Sequence, residues 1–386
     1  MRKTQQFVWG LFAALCLMAV PTAAFAVLVQ VQPQPSAYAA GELAGATLTL
    51  RIAGPIERGD AEIVRDQLMR LTGGWPDGGL LVAETSGSGS DYREAMRIGQ
   101  ILRDFRVVTV VRRGEECASA CVLVFLGGTG HQYAADGTPM PRRYLEVGAD
   151  LHFHNYFPRR AKGEPAPGYP VQALIDYSVR MGVDRRFTAR LSEFAPDAPV
   201  PIRTVADFML IHACPIGLAR PTAGLQQQAA NICNNASQWF DPDGPHRIDP
   251  ITVLTAKRVL LDAARENAWR SRDDKDHDLG QRLSRRLYME SDEATDRLYG
   301  ELNAAGISFP DLSGTIFEVS GYRTGRYGME CLIGFPESTA DRYTALVASR
   351  VSSWLAPMVR EVQSACPDLL RHDGKEIINP PPRSGG

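Results

Sequence analysis

Apolar and polar positions follow two rhythms over the first half of the chain, and the rhythm changes every dozen residues or so. ATLTLRIAG, 46–54, alternates β-branched or apolar residues with others, the pattern of a strand. DAEIVRDQLMRL, 60–71, carries apolar residues at helical spacing, with Asp60 placed to cap it. GLLVAETS, 79–86, predicts a second strand that runs into the loop GSGS. DYREAMRIGQILRDF, 91–105, predicts a second helix, capped by Ser90 or Asp91. RVVTVV, 106–111, predicts a third strand, and ASACVLVFLGG a third helix stopped by Gly127 and Gly128. Strands alternating with helices at this spacing predict parallel crossover units, and hence an α/β domain.

A Gly/Pro-rich insertion, GTGHQYAADGTPMPRR, precedes LEVGADLHFHNYF, which predicts one further strand bearing His152 and His154. His152 is assigned to the opposite face of that strand from His154, in a structural role. VQALIDYSVRMG, DRRFTARLSEF and TVADFMLIHA predict helices, and 215–250 reads as loop. From 251 the character changes. PITVLTAKRVLLDAARENAWR and DLGQRLSRRLYMESDEATDRLYGELNAAG predict long amphipathic helices, and TIFEVSGYRTGRYGMECLIGF a β-hairpin. TADRYTALVASRVSSWLAPMVREVQSAC predicts a last helix. The resulting division is a signal peptide at 1–26, a flexible leader at 27–43 and an α/β domain at 44–225. A linker at 226–250, a C-terminal α+β region at 251–375 and a disordered tail at 376–386 follow.

A chain of 386 residues is too long for one core of average size, which agrees with two domains. A formal charge of −2 shows no basic excess, so no nucleic-acid partner is expected. Arg2 and Lys3, the apolar run FVWGLFAALCLMAV and the small residues Ala24 and Ala26 predict cleavage after Ala26. No later segment is long and apolar enough to span a bilayer, so the expected location is periplasmic or secreted. Export permits disulfides, and removal of Cys16 leaves Cys117, Cys121, Cys214, Cys233, Cys331 and Cys366. Sequence neighbourhood favours the pairs 117–121, 214–233 and 331–366. No CxxC pair or nearby histidine accompanies these cysteines, so no zinc or other metal site is expected.

Candidate chemistry concentrates in the α/β domain. ETSGSGSDYREAM sets the N–H groups of Gly89 and Ser90 at a helix start, where such donors stabilise an oxyanion. TVVRRGEECASACVL sets Ser119 at a second helix start, with the Ala120 N–H beside it. His154 can supply the base that a serine needs to attack near neutral pH. The bland reading of the same residues is a small helix-start serine and a satisfied strand-end histidine.

The runs IAGPIERGDAEIV, LLVAETSGSGSDYREAMRIGQILRD, VVTVVRRGEECASACVLVFLGG and GADLHFHNYF occur in that order. In that order they resemble the Clp protease/crotonase-like superfamily, especially its exported bacterial Clp protease-like branch. The 29-residue interval from Ser90 to Ser119 matches that from the family's loop glycine to its nucleophile. The resemblance covers roughly 44–225 and implies a fold of repeated ββα units. It further implies Ser119 as nucleophile, His154 as general base and the amides of Ser90 and Ala120 as oxyanion hole. The acid of such a triad falls on Asp197, with Asp207 second. A serine hydrolase of peptides or proteins with no cofactor is the implied activity, and a homo-oligomer is compatible with it. The family's usual Ser-Pro-Gly-Gly is here Gly-Ser-Gly-Ser, and Ser90 replaces a glycine that tolerates positive φ. That departure favours the alternative of an inactive binding or scaffolding protein. A lysine base at Lys162 and a coenzyme A-dependent reaction are further alternatives.

Overall fold

The computed structural model describes residues 28–32, 43, 46–72, 80–89, 91–133, 139–154, 171–195, 198–240, 252–255, 315–324, 327–335, 343–349, 360–361 and 366–381. The first elements are β1 (Leu28–Gln32), β2 (Ala46–Ala53), α1 (Asp60–Thr72), β3 (Leu80–Gly89) and α2 (Tyr92–Asp104). There follow β4 (Val108–Val111), β5 (Glu116–Ser119), α3 (Ala120–Leu126), β6 (Thr129–Tyr133) and β7 (Pro139–Pro141). Next come β8 (Arg143–Glu146), β9 (Asp150–Phe153), α4 (Val171–Arg180), α5 (Arg185–Leu191) and β10 (Val200–Pro201). The domain continues with α6 (Val205–Leu210), β11 (Cys214–Ile216) and α7 (Leu225–Phe240). The last described elements are β12 (Thr252–Thr255), β13 (Thr315–Thr324), β14 (Tyr327–Phe335), β15 (Thr344–Ser349), β16 (Arg360–Glu361) and α8 (Pro367–Leu370).

The main sheet runs β10-β9-β5-β3-β4-β8-β11, with β2 also on β3 and β1 on β2. Its pairings are parallel except β1–β2 and β9–β10, which are antiparallel. This is the α/β class expected of a Clp protease/crotonase-like fold. All four residues of β4 are buried, as in a parallel sheet covered on both faces. Strand β3 is the hinge of the arrangement. Its residues 82–84 pair with β4, whereas Gly87 to Gly89 pair with β5.

Local chemistry explains where the helices start and how they meet. Asp91 caps α2, its carboxylate accepting from the N–H groups of Arg93 and Glu94. Glu94 in turn is 3% exposed and accepts from the N–H groups of Gly59 and Ala61, so α2 anchors the start of α1. Helices α2 and α3 cross at two glycines. A Cβ on Gly99 would lie 1.9 Å from the Tyr177 hydroxyl and 2.7 Å from the Leu123 carbonyl, while one on Gly127 would meet the Gly99 carbonyl at 2.2 Å. The Tyr177 hydroxyl donates to that Leu123 carbonyl at 2.6 Å, so the crossing cannot simply widen. Gly99→Ala is therefore expected to cost about 1–3 kcal/mol, read as a lower urea midpoint at unchanged slope.

Several sequence expectations need correction. LEVGADLHF is two strands, β8 and β9, broken at Gly148, whose φ of +96° makes the turn. The expected leader contains β1, which pairs with β2. Residues 225–240, expected as loop and linker, form α7, with Ala229, Ile232, Cys233 and Ala236 buried at helical spacing. The stripe was masked by Gln228, Asn231 and Asn235, polar residues that are buried because they bond to Arg371, Leu370 and His372. TVLT and TALVAS, expected in helices, are strands β12 and β15. Apolar runs this short do not distinguish helix from strand by period, and the predicted hairpin, present as β13–β14, offers edges to both. The tail expected to be disordered is ordered through 381: Ile378 and Asn379 are buried, and Asn379 bonds to Gly148, Ala149 and Ile202. The amphipathic segments between 256 and 314 lie outside the described residues, as do residues 1–27.

Candidate active site

The carboxyl ends of β3, β5 and β9 lie side by side. Gly87, Ser88 and Gly89 of β3 stand opposite Cys117, Ala118 and Ser119 of β5. On the other strand, Asp150, Leu151 and His152 of β9 stand opposite Glu116, Cys117 and Ala118. His154, just past the end of β9, thus falls level with the start of α3. Gly87 lets β3 reach β5: its φ is +104°, and a Cβ there would sit 2.8 Å from the Gly54 carbonyl oxygen.

Ser119 ends β5 and directly precedes α3. Its backbone has φ 55° and ψ −120°, its side chain makes no capping hydrogen bond, and the residue is exposed. A serine that merely starts a helix has extended backbone and turns its hydroxyl onto the first-turn N–H groups. Ser119 does neither. A non-glycine residue held in this region costs on the order of 1–3 kcal/mol, and such strain clusters at functional sites. A sharp strand-to-helix turn that presents a serine hydroxyl is the geometry of a nucleophile elbow.

The Cys117–Cys121 disulfide expected from the sequence is present, with Cα atoms 5.3 Å apart. The two cysteines do not share a helix. Cys117 is on β5 and Cys121 is in the first turn of α3, so the bond closes the elbow across Ser119. Both are buried, so the staple lies beneath the turn and leaves the serine at the surface. The other two expected pairings are wrong: Cys214 is bonded to Cys366, 152 residues away, which excludes both 214–233 and 331–366. Cys233 is disulfide-bonded as well, so Cys214 and Cys233 do not pair with each other. Proximity in sequence misled because the C-terminal segment returns to β11.

His154 is half-buried. His152 is not on the opposite face. Residues two apart in a strand share a face, and the two rings meet edge-on with centroids 5.6 Å apart and planes at 86°. Around His152 stand Glu116 and Asp150, a group that sequence reading missed. Period two alone places Asp150, His152 and His154 together, and the parallel register adds Glu116. The side chains of Glu116, Asp150 and His152 offer ligand atoms within 4.8 Å of one another. Asp150, however, already binds Arg203 at 2.9 Å, so the group is read as an ion-pair cluster.

Asp207 does not serve as a free acid. It is 2% exposed, pairs with Arg190 and accepts from the N–H groups of Arg203 and Thr204 in the capping box of α6. Asp197, Ser90 and Lys162 lie outside the described residues. Ala120 opens α3 as expected. Among the described residues no helix is long and apolar enough to cross a membrane. The disulfides are compatible with an oxidising compartment.

No protein-family model and no curated protein matches the chain. Among solved structures it is similar to a mutant of the 1510-N membrane-bound stomatin-specific protease in complex with a substrate peptide. There the identity is 15%, the TM-score 0.27, and the match covers 39% of this chain and 66% of that one. It is similar to ClpP1 from Listeria monocytogenes at 16% identity and TM-score 0.30, covering 44% and 90% of the two chains. An enoyl-CoA hydratase/isomerase family protein from Silicibacter pomeroyi matches at 13% identity and TM-score 0.28, covering 45% and 69%. None of these likenesses decides an activity. In fold class and in the order of its motifs, the chain is similar to the Clp protease/crotonase-like superfamily.

Proposed function

We propose that the chain is an exported serine hydrolase acting on peptides or proteins, with Ser119 as nucleophile and His154 as general base. The observation that carries this reading is the Ser119 elbow: exposed, uncapped, at positive φ and beside the strand end that bears His154. His154 takes the hydroxyl proton as Ser119 Oγ attacks a carbonyl carbon. The amides of Ala120 and Ser90 receive the negative charge on the carbonyl oxygen. Collapse of the tetrahedral adduct breaks the C–N bond, and His154 returns its proton to the leaving amine. Water then repeats the cycle on the acyl-serine, releasing the acid and restoring Ser119. Asp197 is the proposed third member. A signal peptide at 1–26 and a periplasmic or secreted location belong to the same reading, as does a homo-oligomer.

The competing reading, a scaffold that kept the fold without its activity, is favoured by Ser90 in place of glycine. A fluorophosphonate probe separates the two. The mature, oxidised protein should label, and Ser119→Ala should abolish labelling while leaving the unfolding free energy within about 1 kcal/mol of wild type, since the exposed serine side chain makes no capping hydrogen bond. Folded wild type that does not label sinks the hydrolase reading.

A further inference from the structure

Glu116, Asp150 and His152 form a cluster beside the His154 ring that the proposed mechanism leaves unused. His152 Nε2 lies 3.6 Å from Glu116 Oε1, and its Nδ1 lies 3.6 Å from Asp150 Oδ2. Asp150 is itself held, its Oδ1 accepting from Arg203 Nη2 at 2.9 Å. The Arg203 carbonyl in turn accepts from the N–H groups of Ile378 and Asn379, which ties it to the C-terminal segment. The His152 side chain is 14% exposed.

We infer that His152 is a positioning residue for His154, a role that rests on the reading of Ser119 and His154 as a hydrolytic pair. Carboxylates from two adjacent strands stand 3.6 Å from the two nitrogens of His152 and favour one orientation of the ring. Its edge-on contact then restricts the ring of His154 to one orientation. That restriction matters because misorienting a catalytic base by even a fraction of an ångström forfeits much of its effect. In a Ser-His-Asp triad a carboxylate orients the base directly. Here orientation passes from two carboxylates through a second imidazole. The charged and titratable groups facing His152 are Glu116 from β5, Asp150 and His154 from β9, and Arg203 from the segment after β10. When His154 takes the Ser119 proton, the two carboxylates, offset by one guanidinium, leave net negative charge one ring away.

The test uses the full mature chain with its disulfides intact. Fluorophosphonate labelling rates are measured from about pH 5 to 9, the span over which histidine titrates. His152→Asn should label about tenfold more slowly than wild type, with its pH midpoint displaced. His152→Phe, which restores a ring beside His154 but no N–H groups, should recover part of the rate and not the midpoint. Glu116→Gln, on the exposed side of the cluster, should move the midpoint with the fold unchanged by circular dichroism. Wild-type rates and midpoints in these variants overturn the inference. So does loss of wild-type labelling on treatment with EDTA, which would make the cluster an ion site. A wild type that never labels sinks the hydrolase reading alone, because NMR of the imidazole resonances still decides the coupling. In His152→Asn the His154 ring resonances should shift and broaden, because the edge-on partner ring that fixes the orientation is gone. His154 ring resonances identical to those of wild type overturn the inference whatever the activity.

Discussion

Arg143→Met is expected to destabilise the protein by about 3 kcal/mol at neutral pH, and by more as the pH is raised above 9. Arg143 sits on β8, is 0% exposed, and has no carboxylate partner among the described residues. Its guanidinium donates to the carbonyl of Ile211, which ends α6, and to that of Met181, just past α4. Two helix C-termini thereby supply the negative ends that hold the cation. Methionine would fill much of the volume and leave both carbonyls unpaired, at about 1–3 kcal/mol each. Relief of the buried charge offsets part of that loss. Burial pushes the Arg143 pKa down to about 9, with Tyr177 acting in the opposite direction and Arg103 in the same one. Above that pH the folded state sheds a proton that the unfolded state retains. Wild-type stability then gains relative to the variant, which lacks the group. Burial and Arg143 together also hold His212 down to about 4, so that ring stays neutral beside the cation. Urea titrations of both proteins at pH 7 and pH 10 check the size and the sign. A gap that narrows at the higher pH contradicts the assignment.

The second large effect is expected from opening the Cys214–Cys366 bond. Cross-linking a loop of this length restricts the unfolded chain by up to about 5 kcal/mol in the chain-entropy description. The bond also has local work. Cys214 begins β11, the last strand of the main sheet, and Cys366 caps the short helix α8. Just beyond, Arg371 and His372 offer their carbonyls to Asn231 and Asn235 of α7. Cys214→Ser with Cys366→Ser should therefore lower the unfolding free energy by about 3–5 kcal/mol. It should also speed amide exchange along α7 and the segment after Cys366. By contrast, Cys117→Ser with Cys121→Ser opens a far shorter loop and should cost only about 2 kcal/mol, its main consequence falling on Ser119. Mass spectrometry of exchange separates the two cases by region. Equal losses in the two double variants would contradict this account.

How far the sequence led can be judged on particular residues. The parallel α/β domain was legible because β2, β3 and β4 announce themselves by β-branched periodicity and α1, α2 and α4 by amphipathic spacing. Ser119 was legible from its place between a strand and an apolar helix, but its positive φ was not, since nothing local betrays a backbone angle there. Strand β5 was hidden because ECAS is short, has two small residues and depends on β3 and β9 for its partners. Helix α7 was hidden by asparagines that look solvated and are buried against carbonyls contributed from about 140 residues away. The disulfide from Cys214 was misread for the same reason: a contact of that range leaves no periodic trace. His152 was misplaced through the strand's period, which puts it on the face of His154.

The return of the C-terminal segment has a temporal side. Asn379 donates to the carbonyls of Ala149 and Ile202 and accepts from the N–H of Gly148, across as many as 231 residues of chain. The edge of the first domain therefore waits, with backbone groups unmatched, until nearly everything downstream has been synthesised. Those three bonds cannot form before residue 379 has been made, however early the upstream elements collapse.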